Sequence, residues 1–344
     1  MISKPKWIIR FLLPSLTLLF LLVNISLGSV QIPFSDIVSI LLGEEVKTSW
    51  VHIVWQFRVP KAITALIVGV GLSVSGLQMQ TLFRNPLAGP FVLGISSGAS
   101  LGVALVIFSF SLFGVVLSQL GGSSWLMILA AISGASMVLI VVLLAAQRVK
   151  DSMSLLIIGL MFGSITAAVV SVMQFFSNDE QIQLFLIWTF GSLGGLSWTE
   201  LYMLFAIISI GLFLNTFLLK PLNALLLGEQ YAQSMGINLK LTRWLIIVST
   251  SLLAGSITAF CGPIAFIGLA VPHLGRLLFN TSNHTKLLPA VIWIGAIVML
   301  ICDIVAQLPG SEQVLPINAM TSLIGAPVVI WIIVRKRKIN NQLS

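Results

Sequence analysis

Apolar runs near or beyond 18 residues recur from end to end of the chain, each closed by charges or turn formers, and this repetition limits the fold more than any other feature. A water-soluble domain cannot hide so many of them. With 58% of 344 residues hydrophobic and 8% charged, and a mean hydropathy of +1.08, there is too little polar surface to face water. In a bilayer the same runs suit helices, because a helix satisfies its backbone polar groups internally. The sequence therefore predicts an all-α integral membrane protein. The whole chain, 1–344, reads as one transmembrane domain with no room for a second, soluble one.

Runs bounded by charges and turns place spans near 8–27, 59–81, 91–115, 125–146, 153–176, 199–219, 244–261, 264–279, 287–307 and 315–334, ten helices in all. The stretch 182–196 adds either a short helix or a re-entrant piece. Lys4, Lys6 and Arg10 precede the first run, and Ser26 and Gly28 are small enough for a cleaved signal peptide. The length of that run and the spans behind it favour an uncleaved first helix. An even count puts both ends on one side. Lys4, Lys6, Arg10, Arg84, Arg148, Lys150, Lys220, Lys240, Arg243, Arg276, Lys286 and Arg335 to Lys338, fifteen of eighteen basic residues, then share one face, with Lys47, Arg58 and Lys61 opposite. By the positive-inside rule both termini are cytoplasmic in a multi-pass protein of the cell (plasma or inner) membrane. The formal charge of +8 reads as topology with anionic lipid headgroups as neighbours, not as nucleic-acid binding. Cys261 and Cys302 lie in apolar stretches with no zinc or disulfide spacing and read as small core residues.

Glycine and serine recur at helical spacing. Gly69, Ser73, Gly76 and Gln80 share one face, and Gly159 and Gly163 form a small-xxx-small pair, as closely packed membrane helices require. A side-chain amide such as Gln80 is costly in a membrane unless it finds a partner or a water-lined cavity. Ten spans split into two five-helix halves, about 1–196 and 197–344, and an odd number per half sets the second in inverted orientation. Internal similarity supports this only through Pro90 to Gly94 and Pro263 to Gly268, which share a proline and a glycine after a small-residue helix.

Two segments carry more specific chemistry. Ser73 to Ala99 combines a small-residue helix end, a proline-bracketed turn holding Arg84 and Asn85, and a second glycine-serine helix start containing Ser96 and Ser97. Movable, tightly packed spans need such features, so the run points to a transporter. The loop from Lys220 to Arg243 is the longest cytoplasmic connection. A short amphipathic helix is expected from about Gly228, with Leu225 or Leu226, Ala232 and Met235 on its apolar side and Glu229 and Gln230 at its positive-dipole end. Such a helix docks on a partner or lies along lipid headgroups.

These residues resemble the FecCD-type permease subunits of binding-protein-dependent ABC importers for ferric siderophores, haem and cobalamin. The resemblance covers nearly the whole chain, in family order: Arg58-Val-Pro60-Lys61; Ser75-Gly76-x-x-x-Gln80-x-x-x-x-Asn85-Pro86-Leu87-Ala88-x-Pro90; Trp188-x-x-Gly191-Ser192-Leu193; Leu227-Gly228-Glu229-x-x-Ala232-x-x-Met235-Gly236; Gly262-Pro263-Ile264-x-Phe266-Ile267-Gly268-Leu269-x-x-Pro272-His273-x-x-Arg276; and Thr321-x-x-x-Gly325-Ala326-Pro327. It implies the type II ABC importer permease fold. It further implies that Leu227, Gly228, Glu229, Ala232 and Gly236 belong to a coupling helix seated on a cytoplasmic ATPase, and that Arg58 and Lys61 dock glutamates of an extracytoplasmic substrate-binding protein. Asn85, Leu87, Ser152 and Met153 fall at the cytoplasmic gate, and Gly76, Gln80 and Ser96 along the pathway or its packing. A second permease subunit, the same or a similar chain, completes the membrane part. Two departures stand out: Gln307 replaces an arginine after Asp303, removing a third docking cation, and Asn318 replaces a glycine near the last helix.

The chain has no phosphate-cradling glycine loop, so ATP and magnesium are expected on the partner ATPase, with no cofactor here. No clustered His, Cys or paired carboxylates suggest an enzyme. His273 and Arg276 read as loop-ordering residues. Asp303, the one acid clearly within an apolar span, reads as a local cap or pair. The expectation is an ATP-driven importer subunit with iron-siderophore as cargo and haem and cobalamin behind it. An ion-gradient-driven secondary transporter is the alternative.

Overall fold

The computed structural model describes residues 7–44, 46–109, 124–149, 152–307 and 313–340. Lys4, Lys6, Lys150 and residues 110–115 of the third expected span lie outside them. The described residues are helical, with no strand. Among the described residues, seven helices pass a length-and-hydropathy test for crossing a membrane: Ile8–Ser26, Thr48–Leu82, Trp125–Arg148, Met153–Phe175, Trp198–Leu225, Leu239–Cys261 and His284–Ala306. Of the other expected spans, 264–279 holds the 13-residue helix Ile267–Phe279, 315–334 falls almost wholly within the 24-residue helix Ile317–Asn340, and 91–115 begins with Ile95–Ser109 and continues outside the described residues. Each of the three starts within a few residues of a proline, at Pro90, Pro263 and Pro316, and the first two are set off by a left-handed residue, Gly94 (φ +75°) and Phe266 (φ +66°).

Two further differences concern boundaries. The second span begins at Thr48 rather than residue 59, because a π-helical turn at Val54–Arg58 joins Thr48–Ile53 to Val59–Leu82 without a break. The stretch 182–196 contains most of a 12-residue helix, Asp179–Phe190, started by a reciprocal capping box between Asn178 and Gln181. A helix of that length does not cross a bilayer.

The chain divides into two compact units, and the division falls within two helices, after Val74 and after Phe205. Unit 1 comprises residues 1–74, 192–205 and 264–344. Here Ile8–Ser26 packs on His284–Ala306, which packs in turn on Ile267–Phe279 and the C-terminal helix. Gly69 meets Gly295, where an added Cβ would fall 2.7 Å from the Met299 Cβ, the close approach that the small-residue face predicts. Ile25, Ile37, Ile40, Val54 and Ala62 form the apolar cluster beneath Phe34–Leu42, a helix the sequence reading does not anticipate.

Unit 2 comprises residues 75–191 and 206–263. Its centre is the helix Ile95–Ser109, packed on Ser124–Arg148 and Ser152–Phe175. At Gly98 an added Cβ would lie 2.5 Å from the carbonyl oxygen of Gly134 and 2.6 Å from Val138, so only glycine permits this crossing. Gly159 and Gly163 pack against Leu93 and Ser97. A polar cluster sits in this apolar interior. The Gln78 amide donates to Ser249 Oγ (2.8 Å), its carbonyl accepts from Thr250 Oγ1 (2.8 Å), and Ser249 Oγ donates to the Gly211 carbonyl (3.0 Å). Gln78, Ser249 and Thr250 are all buried, so each polar group meets its partner out of water.

Candidate functional site

The first site lies in unit 2, where the helix Trp198–Leu225 ends and the chain turns into the expected coupling segment. Leu222 and Leu225 are buried and fix the end of that helix, and the Gly228 N–H donates back to the Leu225 carbonyl at 3.1 Å. Gly228 then adopts φ +116° and ψ 156°, a region essentially reserved for glycine, and starts the six-residue helix Glu229–Ser234. Ala232 is fully buried and Ile237 N–H donates to its carbonyl at 3.1 Å; Gly236 (φ +80°) turns the chain toward Asn238, whose side chain caps the next helix at Leu241 N–H. Of the expected apolar side, Leu225 and Ala232 face inward. Met235 is exposed instead, as are Leu227 and Tyr231, because a helix this short has one residue to bury and leaves the rest outside. Glu229 accepts a hydrogen bond from Arg243 Nη2 at 2.7 Å, an ion pair that ties the segment to the following helix.

The gate residues expected from the resemblance fall beside it. A cavity of about 520 Å³ is lined by Leu82, Phe83, Arg84, Met153 and the segment Leu227 to Tyr231, so Met153 and the coupling segment meet in one place. Asn85 closes an Asx turn, its Oδ1 accepting from Leu87 N–H at 2.9 Å, and presents Leu87 half-exposed while Ala88 is buried. Ser152 opens the helix Ser152–Phe175. Gly76 and Gln80 are buried, and Ser96 lies half-buried in the first turn of Ile95–Ser109. The sequence reading singles out Gln80 but passes over Gln78, whose partners come from residues more than 170 positions away; two glutamines at i and i+2 point to different faces, and nothing local says which face is lined with hydroxyls.

The second site lies in unit 1, around Arg58 and Lys61. Arg58, read from the resemblance as a docking cation, is turned inward in this chain. It is buried at 7% exposure, and its guanidinium donates to the carbonyls of Ile25 (3.0 Å), Ser26 (2.9 Å) and Val30. The chain leaving Ile8–Ser26 has carbonyls without helical partners, and a planar five-donor fork satisfies several at once. Lys61, 19% exposed, pairs with Asp303 at 3.3 Å. Asp303 also accepts from Asn24 Nδ2 at 2.8 Å and Gln307 Nε2 at 2.9 Å. The local partner expected for Asp303 is Gln307, one turn on, whereas its cation comes from Lys61, one of the two residues read as docking groups. Gln307, a departure from the family pattern, serves as a donor to this carboxylate. The other departure, Asn318, accepts from Ala265 N–H at 3.0 Å beside the left-handed Phe266. A cavity of about 310 Å³ opens onto Arg58 and Lys61, walled by Gly28, Phe57 and Gly194 among others.

Comparison with known proteins agrees with this layout. Residues 16–335 match the model of the FecCD transport family. The vitamin B12 import system permease protein BtuC of Klebsiella pneumoniae is 35% identical over 332 residues, covering 96% of this chain and 94% of that protein. The protein of the same name from Citrobacter koseri is 35% identical over 285 residues, with 83% of this chain and 84% of that protein covered. A solved structure described as an inward-facing conformation of a metal-chelate type ABC transporter superposes with a TM-score of 0.80 at 30% identity, covering 94% of this chain and 98% of its own. The helical architecture is thus that of ABC importer permeases of the second type, and the apolar spans are those of a multi-pass membrane protein. With a family model spanning nearly its whole length and relatives aligned end to end, the chain belongs to the FecCD transport family.

Proposed function

We propose that the chain is the membrane-spanning subunit of an ATP-driven, binding-protein-dependent importer, and that Glu229–Ser234 is the element through which a separate ATPase moves it. The observation that carries this reading is the construction of that helix. A glycine-only turn sets it off, Ala232 and the Glu229–Arg243 pair hold it against the protein, and Leu227, Tyr231 and Met235 stay exposed for a partner. A rigidly braced plug converts motion of whatever grips it into motion of the helices behind it. The fifteen basic residues expected on one side of the bilayer support a cytoplasmic position for this plug, where ATP is available.

The relatives' names bear on the cargo. Siderophore is the expectation from resemblance alone, whereas both curated relatives above are permeases for vitamin B12, and the matched structure is of the metal-chelate type. The reading best supported is a bulky metal chelate, with a corrinoid ahead of a ferric siderophore. Selection falls to the external binding protein, which docks in the region of Lys61 while Arg58 braces the adjoining loop from within. A second permease chain, the same or a similar one, faces this chain across the pathway.

The test is uptake into proteoliposomes containing the permease, its ATPase and its binding protein, with cyanocobalamin and a ferric siderophore offered in turn. ATP-dependent uptake of cyanocobalamin is expected. Uptake driven by a proton gradient without ATPase supports the ion-gradient carrier instead, and ATP-dependent uptake of the siderophore alone overturns the order of cargoes.

A further inference from the structure

The cavity beside Glu229–Ser234 holds a charge that neither the fold nor the coupling role uses. Arg84 ends the helix Val59–Leu82 in the left-handed region, φ +47°, with its N–H donating to the Thr81 carbonyl at 3.2 Å. Among the described residues only Phe266 and Asn280 otherwise place a non-glycine residue at positive φ. Glycine takes up this helix-ending conformation without steric cost, and asparagine is the next most usual occupant. Arginine gives no local benefit there, so its side chain is where a function lies. That side chain is exposed and makes no hydrogen bond or ion pair among the described residues. It reaches over the turn that opens the short helix, and a Cβ added at Gly228 would lie 3.7 Å from Arg84 Nη1. The one carboxylate lining the same cavity, Glu229, already pairs with Arg243 at 2.7 Å. A cavity of about 520 Å³, its lining more polar than apolar, therefore holds an uncompensated guanidinium beside the exposed side chains of Met153 and Leu227.

We infer that this cavity receives an acidic side chain of the ATPase, whose carboxylate pairs with Arg84 while its stem lies on Met153 and Leu227. The inference rests on the reading that the Glu229 segment seats on the ATPase, and it adds the chemistry of the partner's contact. An acid of the ATPase is favoured over a lipid phosphate because the cavity is continuous with the exposed Leu227 and Tyr231 of the segment read as the ATPase seat. Arginine suits the task because its fork meets both carboxylate oxygens together.

The decisive variant is Arg84→Gly, which relieves the left-handed backbone and removes the guanidinium in one step. In detergent-solubilised full-length chain, its apparent Tm is expected to equal or exceed that of wild type. Its affinity for the purified ATPase should fall about tenfold, with Arg84→Lys losing less and Arg84→Glu more. The deficit should shrink as salt is raised. A photo-crosslinking residue at position 84 should capture the ATPase next to an Asp or Glu. Reversing that acid to lysine should restore binding to Arg84→Glu. A stable Arg84→Gly protein that binds ATPase as wild type does, or a crosslink that captures only lipid, overturns the inference. Leu227→Asp keeps this apart from the coupling reading. If Leu227→Asp weakens ATPase binding and the Arg84 variants do not, only the Arg84 contact is wrong; if neither changes binding, the seat itself is wrong.

Discussion

Replacing Asp303 with leucine removes the acceptor of three donors in one step: Lys61 Nζ at 3.3 Å, Asn24 Nδ2 at 2.8 Å and Gln307 Nε2 at 2.9 Å. The two amides are buried, at 2% and 7% exposure, and cannot turn to water, whereas Lys61 at 19% partly can. Removing one partner of a buried pair costs about 3–5 kcal/mol, and each buried donor left without an acceptor about 1–3 kcal/mol. Discounting the lysine for its exposure and allowing leucine some packing leaves about 3 kcal/mol. At about 2 °C per kcal/mol for a large chain, the apparent Tm in micelles should drop by about 6 °C. The double variant Lys61→Met with Asp303→Leu should recover part of this, because it leaves no ion behind. A double-mutant cycle read by thermal unfolding with intrinsic tryptophan fluorescence measures the coupling. If Asp303→Leu stays within about 1 °C of wild type, or the double variant loses the sum of the two singles, the carboxylate is not the hub described above.

Three other perturbations test separate parts of the structure. Gly228→Ala forces a Cβ into φ +116°, with about 1–3 kcal/mol of strain confined to the start of the short helix; ATP-driven uptake should collapse while the amount of protein in the membrane, read by immunoblot, is unchanged. Glu229→Arg should lower co-purification of the ATPase without affecting membrane insertion. Adding Arg243→Glu should restore part of it by re-forming the ion pair in reverse, and wild-type yield from the single variant counts against the assignment. Arg58→Lys replaces a fork serving the carbonyls of Ile25, Ser26 and Val30 with a single ammonium on a shorter stem; a loss of about 2 kcal/mol is expected, seen as faster proteolysis between residues 27 and 33, and unaltered proteolysis contradicts the bracing role.

Much of this was legible because helix periodicity and punctuation are local. Proline and glycine mark where Ile95–Phe108 and Ile267–Phe279 begin, and Gly228 marks the short helix to within one residue. The start at Thr48 was not, since a π-helical turn leaves no break in an apolar pattern, and Lys47 with the preceding acids reads as a loop boundary. The inward setting of Arg58 was not legible for a related reason. A cation at the expected membrane boundary looks the same in sequence whether it faces water or the carbonyls of a chain turn 28 to 33 residues earlier. Asp303 and Lys61 were each noticed, yet pairing them needs a contact spanning more than 240 positions that no periodicity encodes. Gln307 and Asn318 entered as departures from a pattern, and only the positions of Asp303 and Ala265 reveal what the replacements do.

The way Ile8–Ser26 is fastened also sets an order of events during biogenesis. Just 22% of its most apolar window is buried within this chain, so most of the helix faces away from the chain's own core, and its mean hydropathy of 2.2 lets it reside in the bilayer alone. Its polar anchor to Asp303 lies 279 residues downstream, about half a minute of translation away at typical bacterial rates. Until the span His284–Ala306 emerges, Asn24 must be solvated by headgroups or water at the membrane edge. The first segment to be inserted is thus among the last to be locked in place, and a nascent chain stalled before Asp303 should leave it free to exchange with lipid.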